Sequence, residues 1–266
     1  MTIIDIHSHI LPGIDDGAHD IEESLEILTA LVEQGVREII ATPHVISGVY
    51  NNTREIIDQK ITKLNAALRE SALPIIVYPG AEVYCEPNAP EKVRKEKLSL
   101  AGSRYVLVEC DMHRFPVNIE KLLYEFQVEG YFPILAHAER YNEFRENFNL
   151  LIDLANKGIY VQMNAGSLLG DYGSEIEKLA HKILNIGCVH AIASDVHGLR
   201  KRPILLKEVY NFLSENYTEE LAKLLLEKNP TNIIKNKELE SMVEGYFEPE
   251  MPKKSLGDKI RNLWRK

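Results

Sequence analysis

Cysteine is scarce in this chain: among 266 residues only Cys85, Cys110 and Cys188 carry a thiol. An odd, widely spaced trio cannot frame a disulfide scaffold. It fits reduced thiols and predicts a cytoplasmic setting. Long apolar runs are missing as well; no stretch approaches the roughly 18 residues of a membrane-spanning helix. The chain opens straight into Ile3, Ile4 and Asp5, so a signal peptide is not expected there. Excess positive charge is absent too. A net charge of −9 gives the body no electrostatic footprint for nucleic acid, which is not expected as a partner. Neither an internal repeat nor a low-complexity segment interrupts the sequence.

What is present is enough apolar residue, 45%, for one large domain; α/β barrels commonly run to about 250 residues. Strands are predicted at Thr2 to Ile6, Glu38 to Thr42, Ile75 to Tyr78, Tyr105 to Val108, Phe132 to Ala136, Ile159 to Met163 and His190 to Ala193. Helices are predicted between them. The first starts at an Asp20 capping box and ends at Gly35, with Ile21, Leu25, Leu28, Leu31 and Val32 at helical spacing. Others fall near 52–69, 119–129, 149–156, 175–186, 204–213 and 219–227, and 83–103 reads as irregular and partly helical. About seven strand–helix alternations predict a parallel α/β barrel, or failing that a doubly wound sheet. One boundary is drawn near Gly245: a domain over 1–245 and a charged tail over 246–266.

The stretch that organises the chain is Asp5-Ile6-His7-Ser8-His9, followed by a Pro- and Gly-containing loop with Asp15 and Asp16. Residues i and i+2 of a strand share a face, so His7 and His9 can aim two imidazoles at one point. Alone, His-x-His is equally a polar strand end. The position of its fellows matters more. His44, Glu82, Glu109, His137, Asp195 and His197 all follow predicted strands, at the rim where parallel barrels carry their chemistry. With Asp16 this makes nine candidates, five histidines and four carboxylates. Nine donors are too many for one ion but suit two or three sharing a carboxylate. Mixed imidazole and carboxylate donors fit manganese, iron or zinc better than calcium.

Three divalent ions against four carboxylates leave roughly +2, a site that attracts an anion. Arg140 and Arg202 are placed to join it, and arginine is the usual fork for phosphate oxygens. Their plain alternatives are a salt bridge of Arg140 with Glu139 or Glu143, and a solvated basic loop over Arg200-Lys201-Arg202.

Together Asp-Ile-His-Ser-His, Ala-Thr-Pro-His44, Gly-Ala-Glu82, Ala-His137-Ala-Glu-Arg140 and Ser-Asp195-Val-His197 resemble the polymerase and histidinol phosphatase (PHP) superfamily. The opening Ile-Leu-Pro-Gly-Ile-Asp-Asp-Gly-Ala is similar to the manganese-dependent tyrosine-protein phosphatases of Gram-positive capsule and exopolysaccharide clusters. The resemblance spans about residues 3 to 235. It implies a distorted seven-stranded TIM-like barrel of PHP type holding three divalent metal ions, manganese first, iron or zinc as alternatives. By position, one ion takes His7, His9, Glu82 and Asp195; a second shares Glu82 and takes Glu109 and His137; the third takes Asp16, His44 and His197. Arg140 and Arg202 match the phosphate-binding arginines. Two departures flank ligands: Ala138 stands where the family usually has Pro, and Val196 and Gly198 where it has Ala and Asn.

The implied activity is hydrolysis of phosphotyrosine on the tail of a membrane-associated bacterial tyrosine kinase that controls polysaccharide export. A cysteine route is not supported, because the positions six after each cysteine hold Glu91, Pro116 and Ser194 rather than arginine. Three other readings stay open: a PHP phosphoesterase acting on a small molecule such as histidinol phosphate, a metal-dependent amidohydrolase, and a kinase-binding scaffold without turnover. The amidohydrolase reading wants a strand-end lysine, and none is found among these ends. His19, His113, His181 and His190 receive no metal role; His113 is a loop residue or a lining of the substrate mouth, and Tyr50 a loop aromatic. In the tail, residues 253–266 hold six basic residues and one acid, with Leu256, Ile260, Leu263 and Trp264 at helical spacing. Weak docking to an anionic membrane surface and a plain solvated terminus both fit that pattern.

Overall fold

The computed structural model describes residues 2–199 and 203–241. β1 (Ile3–Asp5) leads to α1 (Ile21–Glu33), β2 (Val36–Ala41) and β3 (His44–Val45). α2 (Arg54–Ser71), β4 (Ile76–Pro79), β5 (Glu82–Tyr84) and α3 (Ala89–Glu96) follow. Next come β6 (Tyr105–Glu109), α4 (Ile119–Val128), β7 (Phe132–Leu135), α5 (Asn142–Glu146), α6 (Phe148–Asn156) and β8 (Tyr160–Asn164). α7 (Ala165–Leu168), α8 (Ser174–Asn185), β9 (Ala191–Ala193), α9 (Leu206–Asn216), α10 (Glu219–Lys223) and α11 (Asn229–Ile234) complete the order. The boundary near Gly245 and the tail lie outside the described residues. Among the described residues no helix is long and apolar enough to cross a membrane.

Local chemistry explains the first helix. Asp20 caps α1 by accepting from the Glu23 N–H at 2.9 Å, and Glu23 accepts in turn from the His19 N–H at 2.9 Å. At the other end Gly35 takes a left-handed φ of 92°, as its role as a stop requires. The helix expected over 219–227 runs further, through α10 and a π-helical turn at Leu224–Lys228 into α11.

All strand ladders are parallel. They form a three-stranded sheet, β1-β2-β4, and a six-stranded sheet, β3-β5-β6-β7-β8-β9. Where seven strands are expected, nine are seen among the described residues. β2 and β3 are successive parts of one chain path, broken at Thr42 and Pro43, and proline brings no N–H to a ladder. β4 and β5 are broken likewise at Gly80 and Ala81. The two sheets meet beyond the end of β1. Ser8 bridges Val196 in parallel, the Asp195 N–H donates to His7 O at 2.9 Å, and the Thr42 N–H donates to Ser8 O at 2.8 Å. The result is an α/β fold whose parallel sheet curls into a half-barrel.

Alternation along the strands sorts the core. Tyr105 and Leu107 of β6 point into an inner cluster with Ile4, Ile6, Ile40, Ile134, Ala136, Ala191 and Ala193. Val106 and Val108 point the other way, into the layer under the helices with Leu28, Leu64 and Leu123. Both faces are covered, which is why β6 is buried at every residue. Continuing the inner parity upward from Tyr105 and Leu107 reaches Glu109, and from Ala191 and Ala193 reaches Asp195. Ile233 of α11 and Leu100 close the opposite end of the inner cluster.

Candidate metal centre

All nine residues singled out as donors gather at the C-terminal rim of the strands. His7, His9, Glu82, His137, Asp195 and His197 are buried, and Asp16 is the exposed member. Glu82 is the hub. Its Oε2 lies 3.2 Å from His7 Nε2, 3.3 Å from His9 Nε2 and 3.1 Å from His44 Nδ1. Its Oε1 lies 3.0 Å from His137 Nε2. Asp195 Oδ1 is 3.4 Å from His7 Nε2 and 3.5 Å from His9 Nε2. Glu109 Oε1 is 2.9 Å from His44 Nδ1. Asp16 Oδ1 is 3.4 Å from both His44 Nε2 and His197 Nε2.

The backbone reaches this arrangement by leaving regular strand. β1 ends at Asp5, and His7 and His9 sit in the irregular stretch beyond it, held by the Ser8–Val196 bridge. Their Nε2 atoms still come within 3.1 Å of each other. Ala136 faces the inner cluster, so simple alternation would turn His137 outward; a left-handed φ of 33° turns it in. Asp195 also has a left-handed φ, 52°. Such backbone in non-glycine residues costs energy and concentrates at functional sites. The loop with Asp15 and Asp16 closes on His9 because Gly17 has no side chain. A Cβ there would lie 2.0 Å from His9 O.

Hydrogen bonds fix which imidazole nitrogen is bare. The oxygen of Gln162, which already accepts from the His137 N–H at 2.9 Å, lies 3.0 Å from His7 Nδ1. Asp15 Oδ2 lies 2.9 Å from His9 Nδ1, and Asp195 O lies 3.0 Å from His197 Nδ1. Each partner is an acceptor, so each Nδ1 carries the proton and each Nε2 keeps its lone pair for a cation. Glu82 Oε2, Glu109 Oε1, and Nδ1 of both His44 and His137 are buried without a hydrogen bond. Carboxylate oxygens and imidazole nitrogens brought this close together fit a metal ion. Eight of the nine residues fall into three overlapping groups: His7, His9 and Asp195; His44, Glu82 and Glu109; and His9, Asp16, His44 and His197. His137 is in none of them and joins through Glu82 Oε1.

The carboxylates also draw protons onto these rings, in the place a cation would take. Burial opposes charge on His9, but its bonds to Asp15 and Glu82 outweigh that and lift its pKa to about 9. Burial likewise opposes charge on His44, and Glu82, Asp16 and Glu109 raise it. Burial raises Glu82, yet His7 and His44 hold it well below the usual range. Hydrogen bonds from His197 and His44 lower Asp16. The carboxylates are therefore ionised and demand positive charge.

Arg140 reaches the site and not its sequence neighbours: its Nη1 is 3.3 Å from Asp195 Oδ2. Glu139 instead accepts from the Asn164 N–H at 3.0 Å, and Glu143 from the Phe115 N–H. Arg202 lies outside the described residues. A cavity of about 360 Å³ opens over the donors, lined also by Arg140, Tyr84 and His113. No lysine lines it among the described residues. A larger groove of about 800 Å³, between α4 and α6, contains none of the donors.

Sequence reading missed the supports. Gln162 and Asn164 of β8 run from the His7 ring to Asp195: Gln162 Nε2 donates to Asn164 Oδ1 at 2.9 Å, and Asn164 Nδ2 to Asp195 Oδ2 at 2.7 Å. Asp5 accepts from the Ser194 N–H at 3.1 Å and hydroxyl at 2.5 Å, and burial pushes its pKa up to about 6. Tyr50, given no role from sequence, stacks on the His44 ring at 5.6 Å and 14°. The parity of Tyr160, Gln162 and Asn164 was the available signal for the first pair. His181 packs on Phe212, and His190 accepts from the Val161 N–H at 3.2 Å; neither is among the grouped donors.

The family model described as capsular polysaccharide synthesis, CpsB/CapC, matches residues 3–235. The chain is 37% identical over 226 residues to the tyrosine-protein phosphatase YwqE of Bacillus subtilis, covering 85% of this chain and 89% of that protein. It is 33% identical over 238 residues to the tyrosine-protein phosphatase CpsB of Streptococcus pneumoniae, covering 87% and 98%. A solved chain from work on YwqE of Bacillus subtilis and CpsB of Streptococcus pneumoniae, described as unique metal-dependent tyrosine phosphatases, superposes with a TM-score of 0.86 at 34% identity, covering 94% of this chain and all of that one. With its donor rim, its half-barrel and a match that spans most of its length, the chain belongs to the CpsB/CapC family of capsular polysaccharide synthesis proteins.

Proposed function

We propose that this protein is a metal-dependent protein-tyrosine phosphatase of a capsule or exopolysaccharide cluster. The observation that carries the reading is the Glu82 hub, one carboxylate within 3.3 Å of four imidazoles. Three divalent ions, manganese first, fit the donors. His7, His9, Glu82 and Asp195 would hold one; Glu82, Glu109 and His137 a second; Asp16, His44 and His197 the third. Bound there, the ions would supply Lewis acidity and a water acidified to a pKa near ~7. Asp195 keeps Arg140 at the cavity wall, where its free N–H groups can take phosphate oxygens. Arg202 has the same role by position. A phenol leaves with a pKa near ~10, so no strong general acid is required of the chain.

The substrate is the phosphotyrosine tail of a membrane-associated kinase, met in the cytoplasm. Residues 1–245 are assigned to the catalytic domain, a distorted barrel of seven strand paths, and 246–266 to a basic tail; co-sedimentation with anionic liposomes, with and without residues 253–266, decides between weak membrane docking and a plain solvated terminus. His137→Ala or Asp195→Ala is expected to abolish hydrolysis of a phosphotyrosine peptide without unfolding the protein by circular dichroism. Chelator should silence the wild type and manganese should restore it. Full activity in excess chelator would overturn the reading. Preference for histidinol phosphate over the peptide would move the protein to the small-molecule branch of the superfamily.

A further inference from the structure

Asp195 holds Arg140 by a single contact, Nη1 to Oδ2 at 3.3 Å, and that oxygen also accepts from Asn164 Nδ2 at 2.7 Å. One contact leaves a guanidinium free to turn about it. A planar fork recognises phosphate only when its plane is set. A second contact is present: the Arg140 guanidinium carbon lies 5.0 Å from the centroid of the Tyr172 ring. The electron-rich face of an aromatic ring attracts a guanidinium and favours defined placements of it.

Tyr172 stands in the turn between α7 and α8. The turn folds back on itself, the Asp171 N–H donating to Gly166 O at 2.9 Å. The ring then rests on Gly166. A Cβ on that residue would meet Tyr172 Cε2 at 3.0 Å and Asp171 Cβ at 3.3 Å, tighter than ordinary packing. Gly166 is the second residue of α7, two positions after Asn164, the residue that also holds Asp195. The same strand end thus supports both contacts of Arg140.

We propose that Tyr172, seated against the bare backbone of Gly166, is a positioning residue that sets the plane of Arg140 for the phosphoryl oxygens of an aryl phosphate. This role rests on the phosphatase reading of the site, and it assigns to the α7–α8 turn a part in substrate affinity. The ring face is what sets the guanidinium plane.

The test is steady-state kinetics of the manganese-loaded protein on a phosphotyrosine peptide, with inorganic phosphate as competitive inhibitor. Tyr172→Leu is expected to lower kcat/KM about five-fold, mainly through KM, and to weaken phosphate inhibition by a similar factor. Tyr172→Phe keeps the ring and is expected to bring both back to within about two-fold of wild type. Gly166→Ala displaces the ring and should behave as Tyr172→Leu does. Tyr172→Gln gives the same reading should leucine lower the melting temperature. Equal losses in Tyr172→Phe and Tyr172→Leu would overturn the role, as would wild-type phosphate inhibition in both ringless variants. Arg140→Lys separates the two levels. If it loses phosphate affinity while Tyr172→Leu does not, the positioning role falls and the phosphatase reading stands. If it binds phosphate as the wild type does, the assignment of Arg140 itself falls.

Discussion

Gln162 divides one carbonyl oxygen between two donors, the His137 N–H and the Nδ1 of His7. Gln162→Leu would keep the bulk and lose the acceptor, releasing the His7 ring and leaving the His137 N–H unpaired. Metal affinity should fall about 10- to 100-fold, the usual cost of removing an outer partner, as measured by competition with a chromogenic chelator. Gly17 is the second sensitive residue. Gly17→Ala must push the Asp15–Asp16 loop off His9 O, and a loss of about 1–3 kcal/mol in denaturant unfolding is expected along with activity. The convergence of these histidines and acids was legible, because such residues at strand ends are conspicuous. Gln162 and Asn164 were not, since amides at a strand end have many ordinary uses. The left-handed backbone of His137 and Asp195 was not legible either: Asp and His tolerate it more than most residues, but only a small share of them adopt it.

At the level of elements, β8 and β9 are joined through His190 by side chain and main chain together. Its N–H donates to Val161 O at 2.9 Å, and its Nδ1 accepts from the Val161 N–H at 3.2 Å. An accepting Nδ1 has no proton, and burial lowers the pKa of this histidine to about 4. The unfolded chain, with an ordinary histidine near ~6.5, binds the extra proton first. The contribution of His190 to stability should therefore drop as pH falls from about 6.5 toward 4, and return with pH across the same window, while Asp5, with its raised pKa, contributes in the opposite sense. Urea midpoints of wild type and His190→Gln at pH 7 and pH 5 check this, with the wild type expected to lose more on acidification than the variant. Strand positions were readable from apolar runs, and α1 from its cap and its terminal glycine. The division of two strand paths at Pro43 and at Gly80 was not. Short breaks leave the hydrophobic pattern almost intact while removing ladder bonds, so nine strands appear where periodicity counts seven.

Across the whole molecule, the residues that join the two sheets are neighbours of the donors or donors themselves: Ser8 with Val196, His7 with Asp195, Ser8 with Thr42. Ions bound there would fasten the sheets together as well as serve the reaction. Manganese at 100 times its Kd should add about 2.7 kcal/mol to the chelator-treated protein. For a domain of this size that is a rise of roughly 5–10 °C in Tm by scanning calorimetry. Asp195→Ala should lose most of the increment while keeping a cooperative transition.

Asp5 and Ser194 make one of these seams, and 189 positions of sequence separate them. On the ribosome, the amino-terminal imidazoles leave the exit tunnel long before their counterparts are made. A growing polypeptide therefore has no finished cage to trap a cation. Loading belongs to the last stage of maturation, after translation of the segment that ends β9, and scarcity of the ion during synthesis should delay activation without misdirecting the fold.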